Sequence, residues 1–430
     1  MVLTAIQLLS LFGVTIVLGY AGLLIFRRTK IPDILWLLIF GVLVASFGFI
    51  DRAMFVSASP LLAALALLII LFDAGLNMDF YDMMHGFSRS FLLAIIGFIL
   101  STVAVASVSV FLLGFSIVEG LLLGAILGGS CSTIAISIIS RMRMKERLRT
   151  LVTLESIITD PVSIVVALAL VSMIVPAAGY SPVNRIASAF SIGALVGLVV
   201  GIAWLRLLDK LQGKPFDYML TLAVVFLLYA GVEFAGGSGA IAALLFGLAL
   251  GNGKTFSKIL KMSKEYTVNP LLKTFQSEIC FFIRSFFFVY LGLIVVISPQ
   301  YLLYGALLAV LLILVRFVAV HLSVGGMGFT RNERILISTM APRGLAAAVL
   351  AQLPISYGIP NAEIYSSIIF VVIFATVIYT AISVKFFYKD HHEEKQEKIP
   401  DGAEKEAEKL SKKESKFRVI EKKRKRKRAR

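Results

Sequence analysis

Apolar segments of roughly 20 residues recur along most of the chain, and each is long enough to cross a lipid bilayer as an α-helix. Of the 430 residues, 58% are hydrophobic and only 16% are charged, whereas soluble domains contain about 25% charged residues. The strands of a membrane β-barrel would instead alternate polar and apolar residues over about 10 positions. The sequence therefore predicts an all-α membrane protein.

Charged residues, Gly and Pro divide the apolar runs into about thirteen candidate transmembrane helices. These predicted spans start near Thr4, Pro32, Pro60, Phe91, Ile117, Thr150, Ala187, Asp217, Gly239, Glu278, Tyr301, Arg334 and Glu363. The first lacks a basic start and a small-residue cleavage site, which favours a retained helix over a signal peptide. Nearly all Lys and Arg residues of the loops fall on one side of the membrane if the N-terminus lies outside. We therefore predict an outside N-terminus and a cytoplasmic C-terminus.

The composition changes at Lys389, where apolar residues give way to Lys and Glu and the sequence ends in KKRKRKRAR. We interpret residues 389–430 as a basic, mostly disordered cytoplasmic tail that attracts anionic lipids. Basic runs attract any polyanion, but this one has no aromatic platform or recognition module beside it. No nucleic-acid partner is therefore expected.

Charged side chains also fall inside the predicted spans, where each costs about 2.5–3.5 kcal/mol at the bilayer centre. They are Asp73, Glu155, Asp160, Glu233, Arg284, Arg316 and Arg343. Such residues persist in a membrane when they pair, face water or take part in transport. For Asp73, Glu233 and Arg284 the sequence leaves open whether they are structural partners or part of a pathway.

Two of these carboxylates, Glu155 and Asp160, lie in the stretch TLESIITDP. On a helix, Ser156 and Asp160 share one face, while Glu155 and Thr159 share the neighbouring face about 100° away. Pro161 has no N–H, so the carbonyl four residues earlier loses its helical donor. Carboxylate, hydroxyl and carbonyl oxygens together suit a hard cation. We predict that Asp160 is a titrating ion ligand; neutralisation of a structural arginine is the alternative.

A run of small polar residues interrupts the fifth span, in GAILGGSCSTIAIS at residues 124–137. Small residues of this kind can pack closely against another helix. They can also allow the helix to unwind and present its broken ends to an ion, and we favour this reading because an ion-ligand candidate follows in the next span.

The twelfth span contains a second interruption, in STMAPRGLAAAVLA, where Pro342 and Gly344 lie on either side of Arg343. Pro and Gly both disfavour a helix interior. Broken helices in corresponding positions of two halves are typical of transporters built from inverted repeats. The sequence therefore predicts inverted repeats with broken crossing helices.

With these features in place, the chain resembles the monovalent cation/proton antiporters, and within them the NhaP-type sodium/proton antiporters. Four stretches carry the resemblance in the family's order: LFDAGLNMD (71–79), LESIITDP (154–161), FFFVYLGLIV (286–295) and APRGLAAAV (341–349). The likeness covers residues 1–388, which we interpret as the transmembrane antiporter domain. It implies a homodimer in the plasma membrane, with a dimerisation part in spans 1–3 and 8–10 and a transport part in spans 4–6 and 11–13.

The resemblance also implies roles for individual residues. Asp160 matches the family's ion-binding aspartate. Glu155 matches the glutamate that pairs with the arginine of the broken twelfth span, here Arg343, and Arg316 resembles the charge-balancing basic residue of the eleventh span. The expected cation/proton site comprises Asp160, Ser156, Thr159, Ser130, Cys131 and Thr133.

The implied function is exchange of Na⁺ for a proton by alternating access, in an electroneutral 1:1 cycle that needs no cofactor. Two departures bear on the ion. Thr159 stands where the family usually has Asn, and SCS at residues 130–132 replaces its usual Thr-Asp-Pro and resembles the potassium/proton exchanger branch. A K⁺/H⁺ antiporter is therefore the alternative, and a gated cation channel a more distant one. No histidine has metal-ligand spacing and no phosphate-binding Gly loop is present, which argues against an enzyme.

Overall fold

The computed structural model describes residues 5–29, 32–47, 52–78, 89–131, 134–135, 146–175, 182–211, 217–259, 270–326 and 328–397. Within these ranges the regular structure is entirely helical. The helices are α1 (Ala5–Thr29), α2 (Asp33–Ser46), α3 (Arg52–Asn77), α4 (Arg89–Leu113), α5 (Ile117–Gly128), α6 (Glu146–Ile174), α7 (Pro182–Leu211), α8 (Asp217–Phe234), α9 (Gly239–Gly251), α10 (Gly253–Ile259), α11 (Pro270–Ile294), α12 (Pro299–Val324), α13 (Arg331–Thr339), α14 (Leu345–Leu350), α15 (Leu353–Ser356) and α16 (Ala362–Glu397).

The helices agree with the predicted spans in number and order. Among the described residues, seven helices are long and apolar enough to cross a membrane, and α9 with α10 forms a pair bent by 81° that passes the same test together. Shorter apolar segments lie in α1, α2, α5, α8 and α14–α15. Together these elements account for the thirteen predicted spans, so the predicted fold class is confirmed.

Contacts between helices fall into two main groups. In the first, α9 packs against α3, α7 and α8, and α11 packs against α1, α2 and α3. In the second, α4 packs against α5, α6 and α12, while α5 also contacts α6, and α12 contacts α13. The short helix α14 touches members of both groups. This short helix therefore connects the two sets of helices.

Small residues allow a close helix contact between α3 and α9. A Cβ atom added to Gly75 would lie 2.7 Å from the backbone nitrogen of Leu248, and one added to Gly247 would meet the carbonyl of Phe72. Glycine removes these clashes, so the two backbones approach closely, as in other membrane helix pairs. This packing explains how a helix as short as α9 is held in the bundle.

The charges that the sequence left unassigned have partners in the structure. Arg284 pairs with Asp33, with Nη2 3.4 Å from Oδ2. Glu233 accepts a hydrogen bond from the Gly239 amide at 2.8 Å. Asp73 is hydrogen-bonded to the side chains of Asn77 and Cys280. The Arg284–Asp33 contact links α11 to α2. Each of these charges therefore has a structural partner inside the described part of the chain.

The described helices up to Ala381 form one compact unit, and the end of α16 belongs to a second. This last helix continues to Glu397, so the first residues of the predicted tail are helical. Residues 398–430 lie outside the described residues, and the disorder predicted for them remains a prediction.

Candidate ion-binding site

Two interrupted helices meet at one point. α5 ends at Gly128, and α13 ends at Thr339, well before α14 begins at Leu345. The backbone N–H of Cys131 donates to the carbonyl of Pro342 at 2.8 Å, so the two non-helical stretches are hydrogen-bonded to each other. Both interruptions occur where the sequence predicts them, and the unwound form of the fifth span is the correct alternative.

We call this contact between the stretches after Gly128 and after Thr339 the crossing. It requires a residue without a side chain at position 344, which is Gly344. A Cβ atom added there would lie 2.6 Å from Cβ of Cys131 and would also overlap its sulfur. Real Cβ atoms essentially never approach another atom so closely. The glycine after Arg343 therefore brings the second interruption into contact with the first.

Glu155 and Arg316 form a buried ion pair. Arg316 Nη1 donates to Glu155 Oε1 and Nη2 donates to Oε2, both at 3.0 Å. The two residues are only 2% and 4% exposed. The predicted pair of Glu155 with Arg343 is therefore wrong, because α12 brings Arg316 against both carboxylate oxygens in the fork geometry that guanidinium groups favour.

Arg343 binds the broken end of α5 instead. Its Nη1 donates to the carbonyl of Gly128 at 2.8 Å and also to that of Gly129, while Nη2 lies 3.4 Å from Ser101 Oγ. Its backbone N–H donates to Thr376 Oγ1 at 3.1 Å. The free carbonyls at a helix C-terminus carry partial negative charge. Arg343 therefore stabilises the interruption in α5 rather than a carboxylate.

The hydroxyl groups predicted as ligands lie in one cluster. Ser130 Oγ lies 3.2 Å from Ser156 Oγ and 3.1 Å from Thr159 Oγ1, and it donates to Glu155 Oε1 at 2.9 Å. The backbone N–H of Ser130 donates to Thr159 Oγ1 at 3.1 Å. Thr159 thus holds Ser130 within the unwound stretch.

Asp160 lies on α6 one helical turn beyond Ser156 and is half-buried. Its charge interacts with Arg343 and with Cys131. Arg343 in turn interacts with Arg316 and Glu155. The crossing therefore holds two arginines and two carboxylates that influence one another. Thr133, the remaining predicted ligand, lies outside the described residues.

Sequence reasoning missed two contacts of Arg343, with Ser101 on α4 and Thr376 on α16. Each is one of several Ser and Thr residues in an apolar helix, and such residues commonly bond back to their own helix. Thr376 does this as well, since its hydroxyl lies 2.7 Å from the carbonyl of Val372. No local sequence signal separates these two residues from other helical Ser and Thr.

Several known proteins are similar to this chain in sequence. The family described as "Sodium/hydrogen exchanger, transmembrane" matches residues 13–389. The K(+)/H(+) antiporter NhaP of Alkalimonas amylolytica is 28% identical over 370 residues, covering 84% of this chain and 62% of the relative, so this chain spans less than two thirds of its length. The Probable Na(+)/H(+) antiporter 2 of Methanocaldococcus jannaschii is 26% identical over 366 residues, covering 79% of this chain and 85% of the relative.

A solved structure shares the fold. The sodium proton antiporter MjNhaP1 from Methanocaldococcus jannaschii superimposes with a TM-score of 0.73 at 22% identity. The superposition covers 88% of this chain and 100% of the solved chain. The order of helices described above is therefore the same in both proteins over most of their length.

Proposed function

The chain belongs to the sodium/hydrogen exchanger family, and we propose that it is a secondary active antiporter that exchanges a monovalent cation for a proton across the cell membrane. The family is one of transporters and not of enzymes. Interrupted helices that meet within the bundle support the proposal, because transporters bind their ions at such points. The transported cation and the proton are the only small partners that this activity requires.

The different surroundings of Glu155 and Asp160 on α6 carry the proposal. Both oxygens of Glu155 accept hydrogen bonds from Arg316, and the residue is 2% exposed. A carboxylate held in this way is poorly placed to give up its partner on every transport cycle. Asp160 is more exposed and lies beside the hydroxyl cluster, so we assign the shared cation/proton site to Asp160.

The groups around Asp160 suit a hard monovalent cation. Ser156 and Ser130 supply hydroxyl oxygens at the crossing. Because Pro161 continues α6 without an N–H, the carbonyl of Ile157 lacks its usual donor and adds a further oxygen. Thr159, Cys131 and Thr133 complete the proposed set. Oxygen ligands of this kind are preferred by hard cations over nitrogen or sulfur.

Charge counting then gives the stoichiometry. With Asp160 ionised and the site empty, the two arginines and two carboxylates sum to zero. Binding either one proton or one monovalent cation brings the same sum to plus one. If the site crosses the membrane only when loaded, each cycle moves one cation against one proton and no net charge. The proposed exchange is therefore electroneutral.

The relatives point to two candidate cations. The similar proteins include a K(+)/H(+) antiporter and a Probable Na(+)/H(+) antiporter. We propose Na⁺ as the substrate, with K⁺ as the alternative that the SCS sequence of the first interruption favours. The site geometry supports a monovalent cation in either case.

The two groups of helix contacts support movement of one group against the other. In the proposed cycle, the group that contains α4, α5, α6 and α12 carries Asp160 between the two sides. The group built around α3, α9 and α11 provides the fixed part and the contact between two copies in a homodimer. The loop charges support an outside N-terminus in this arrangement.

Proton flux in proteoliposomes tests the proposed function. Vesicles loaded with a pH dye receive pulses of Na⁺ or K⁺, while valinomycin and K⁺ clamp the voltage. The proposal predicts cation-driven proton movement that does not depend on voltage and that is lost in Asp160→Asn. Cation leakage driven by voltage without proton coupling would instead identify a channel.

A further inference from the structure

A cavity of about 380 Å³ lies between α12 and α13. Its polar lining comes from His321, Arg331, Arg334 and Ser338, and its apolar lining includes Phe317 and Phe329. The loop charges predict that this end of both helices faces the cytoplasm. The cavity is therefore open at the level where the inner lipid headgroups begin.

The polar part of this cavity carries positive charge. Nε of Arg334 is buried and has no hydrogen-bond partner among the described residues. The guanidinium of Arg147 lies 5.0 Å from the ring centre of Phe329 and adds a further charge at the rim. The neighbouring Glu333 is not part of the lining, and its carboxylate accepts a hydrogen bond from the Thr330 N–H at 2.9 Å. Cationic side chains thus line the cavity, and no carboxylate of the described residues is part of the lining.

This charge excludes some occupants and favours others. Na⁺ and K⁺ are repelled, so the cavity is unsuited as their entrance. Guanidinium groups bind phosphate oxygens with charge-assisted hydrogen bonds. The unpaired Nε of Arg334 is a donor that an anion would satisfy, which removes the cost of leaving it buried without a partner.

The apolar surroundings favour a lipid over free phosphate. Phe317 is 38% exposed, and Val318 and Leu322 on the same helix are more than half exposed. Phe317 lines the cavity together with the arginines and continues into this exposed apolar surface of α12, as acyl chains require beside a headgroup. Basic pockets between helices on the cytoplasmic side commonly bind anionic lipid headgroups.

We propose that this cavity binds the phosphodiester headgroup of an anionic phospholipid of the inner leaflet. Arg331 and Arg334 hold the phosphate, and Phe317 contacts the start of an acyl chain. The occupant lies along α13, whose Ile337 carbonyl accepts a hydrogen bond from Arg316 of the ion site at 3.4 Å. The lipid therefore binds beside the helix that leads into the crossing.

Photo-crosslinking tests the proposal on the full chain. Phosphatidylglycerol with a diazirine near its glycerol is bound to the purified protein in detergent, and the labelled peptides are identified by mass spectrometry. We expect labelling of the peptides that span α12 and α13, competed by unlabelled phosphatidylglycerol but not by phosphatidylcholine. The basic tail is labelled separately, so peptide mapping distinguishes the two sites.

The double substitution Arg331→Gln/Arg334→Gln should weaken binding, so the concentration of unlabelled phosphatidylglycerol that halves labelling of the α12–α13 peptides should rise about tenfold. The matched control, Arg206→Gln/Lys210→Gln, removes the same charge from exposed positions of α7 and should leave it unchanged. Arg331→Lys/Arg334→Lys keeps both positive charges and is the control for misfolding of the Gln variant. It should retain most of the labelling. The lipid assignment would be overturned if the control variant lost as much affinity for phosphatidylglycerol as Arg331→Gln/Arg334→Gln. It would also be overturned if inorganic phosphate competed as well as phosphatidylglycerol. Because the readout is binding, failure here leaves the antiport proposal untouched.

Discussion

The two buried arginines of the crossing are stabilised in different ways. Arg316 binds both oxygens of Glu155, so its charge is cancelled by a carboxylate of another helix. Arg343 binds backbone carbonyls at the end of α5, so its charge is balanced by the partial charges of a broken helix. The first arrangement fixes two helices to each other, and the second maintains an interruption. The same residue type therefore acts as an anchor at one site and as a cap at the other.

Removing Arg316 should produce the largest effect. Arg316→Gln leaves Glu155 as a buried carboxylate without its ion partner, which should lower the free energy of unfolding by roughly 3–5 kcal/mol. Unfolding in mixed micelles by titration with a denaturing detergent measures this loss. Adding Glu155→Gln to the same protein should recover part of it, because no unpaired charge then remains.

The same assay can reverse the assignment. If the loss caused by Glu155→Gln were recovered by Arg343→Gln and not by Arg316→Gln, Glu155 would depend on Arg343 for its stability. That result would restore the pairing that the sequence suggested.

Removing Arg343 should cost less. Arg343→Gln leaves carbonyl groups without their charged donor but creates no unpaired carboxylate, so we expect a loss of roughly 1.5–3 kcal/mol. It also removes a positive charge that interacts with Asp160. The proton should then compete better with the cation, and half-maximal exchange should move to higher pH. An unchanged pH profile in proteoliposomes would contradict the coupling of Arg343 to Asp160.

The contact between the two interruptions can be tested at Gly344. Gly344→Ala introduces a methyl group against Cys131 and should cost roughly 1–3 kcal/mol through overpacking. Gly231→Ala on α8 is the control, since nothing lies within 4 Å of the added atom. Alanine favours a helix more than glycine does, so this control should be neutral or slightly stabilising. Equal thermal stability of both variants would show that the crossing has more room than described.

The smallest effect is expected at the hydroxyl cluster. Ser130→Ala removes one donor to Glu155 while the bonds from Arg316 remain, so a loss of about 1 kcal/mol is expected. Apparent cation affinity should also fall, because Ser130 is a proposed ligand. Ser107→Ala removes a hydroxyl that bonds only to its own helix at Val103, and it should change neither quantity. A fall in affinity equal to that in Ser130→Ala would contradict the ligand role.

Much of the fold could be predicted because its signals are local. The apolar runs set the helices, and the breaks near Gly129 and Pro342 arise from residues that disfavour a helix where they stand. The positions of Ser156, Thr159 and Asp160 follow from helical spacing alone.

The partners of the buried charges could not be predicted in this way. Glu155 and Arg316 are 161 positions apart, and Arg284 and Asp33 are 251 apart. Which arginine reaches a given carboxylate depends on how the helices pack, and spacing along one helix carries no information about that. The resemblance supplied a pairing with Arg343, and the packing of α12 against α4 and α13 supplied another.

Proton release on cation binding tests the central claim most directly. Purified protein in weakly buffered detergent solution receives Na⁺ or K⁺ over a range of pH, and the released protons are titrated against the bound cation. The account predicts up to one proton released per cation in the wild-type protein and none in Asp160→Asn. Cation binding without proton release in the wild type, or unchanged release in Asp160→Asn, would contradict a shared site at Asp160.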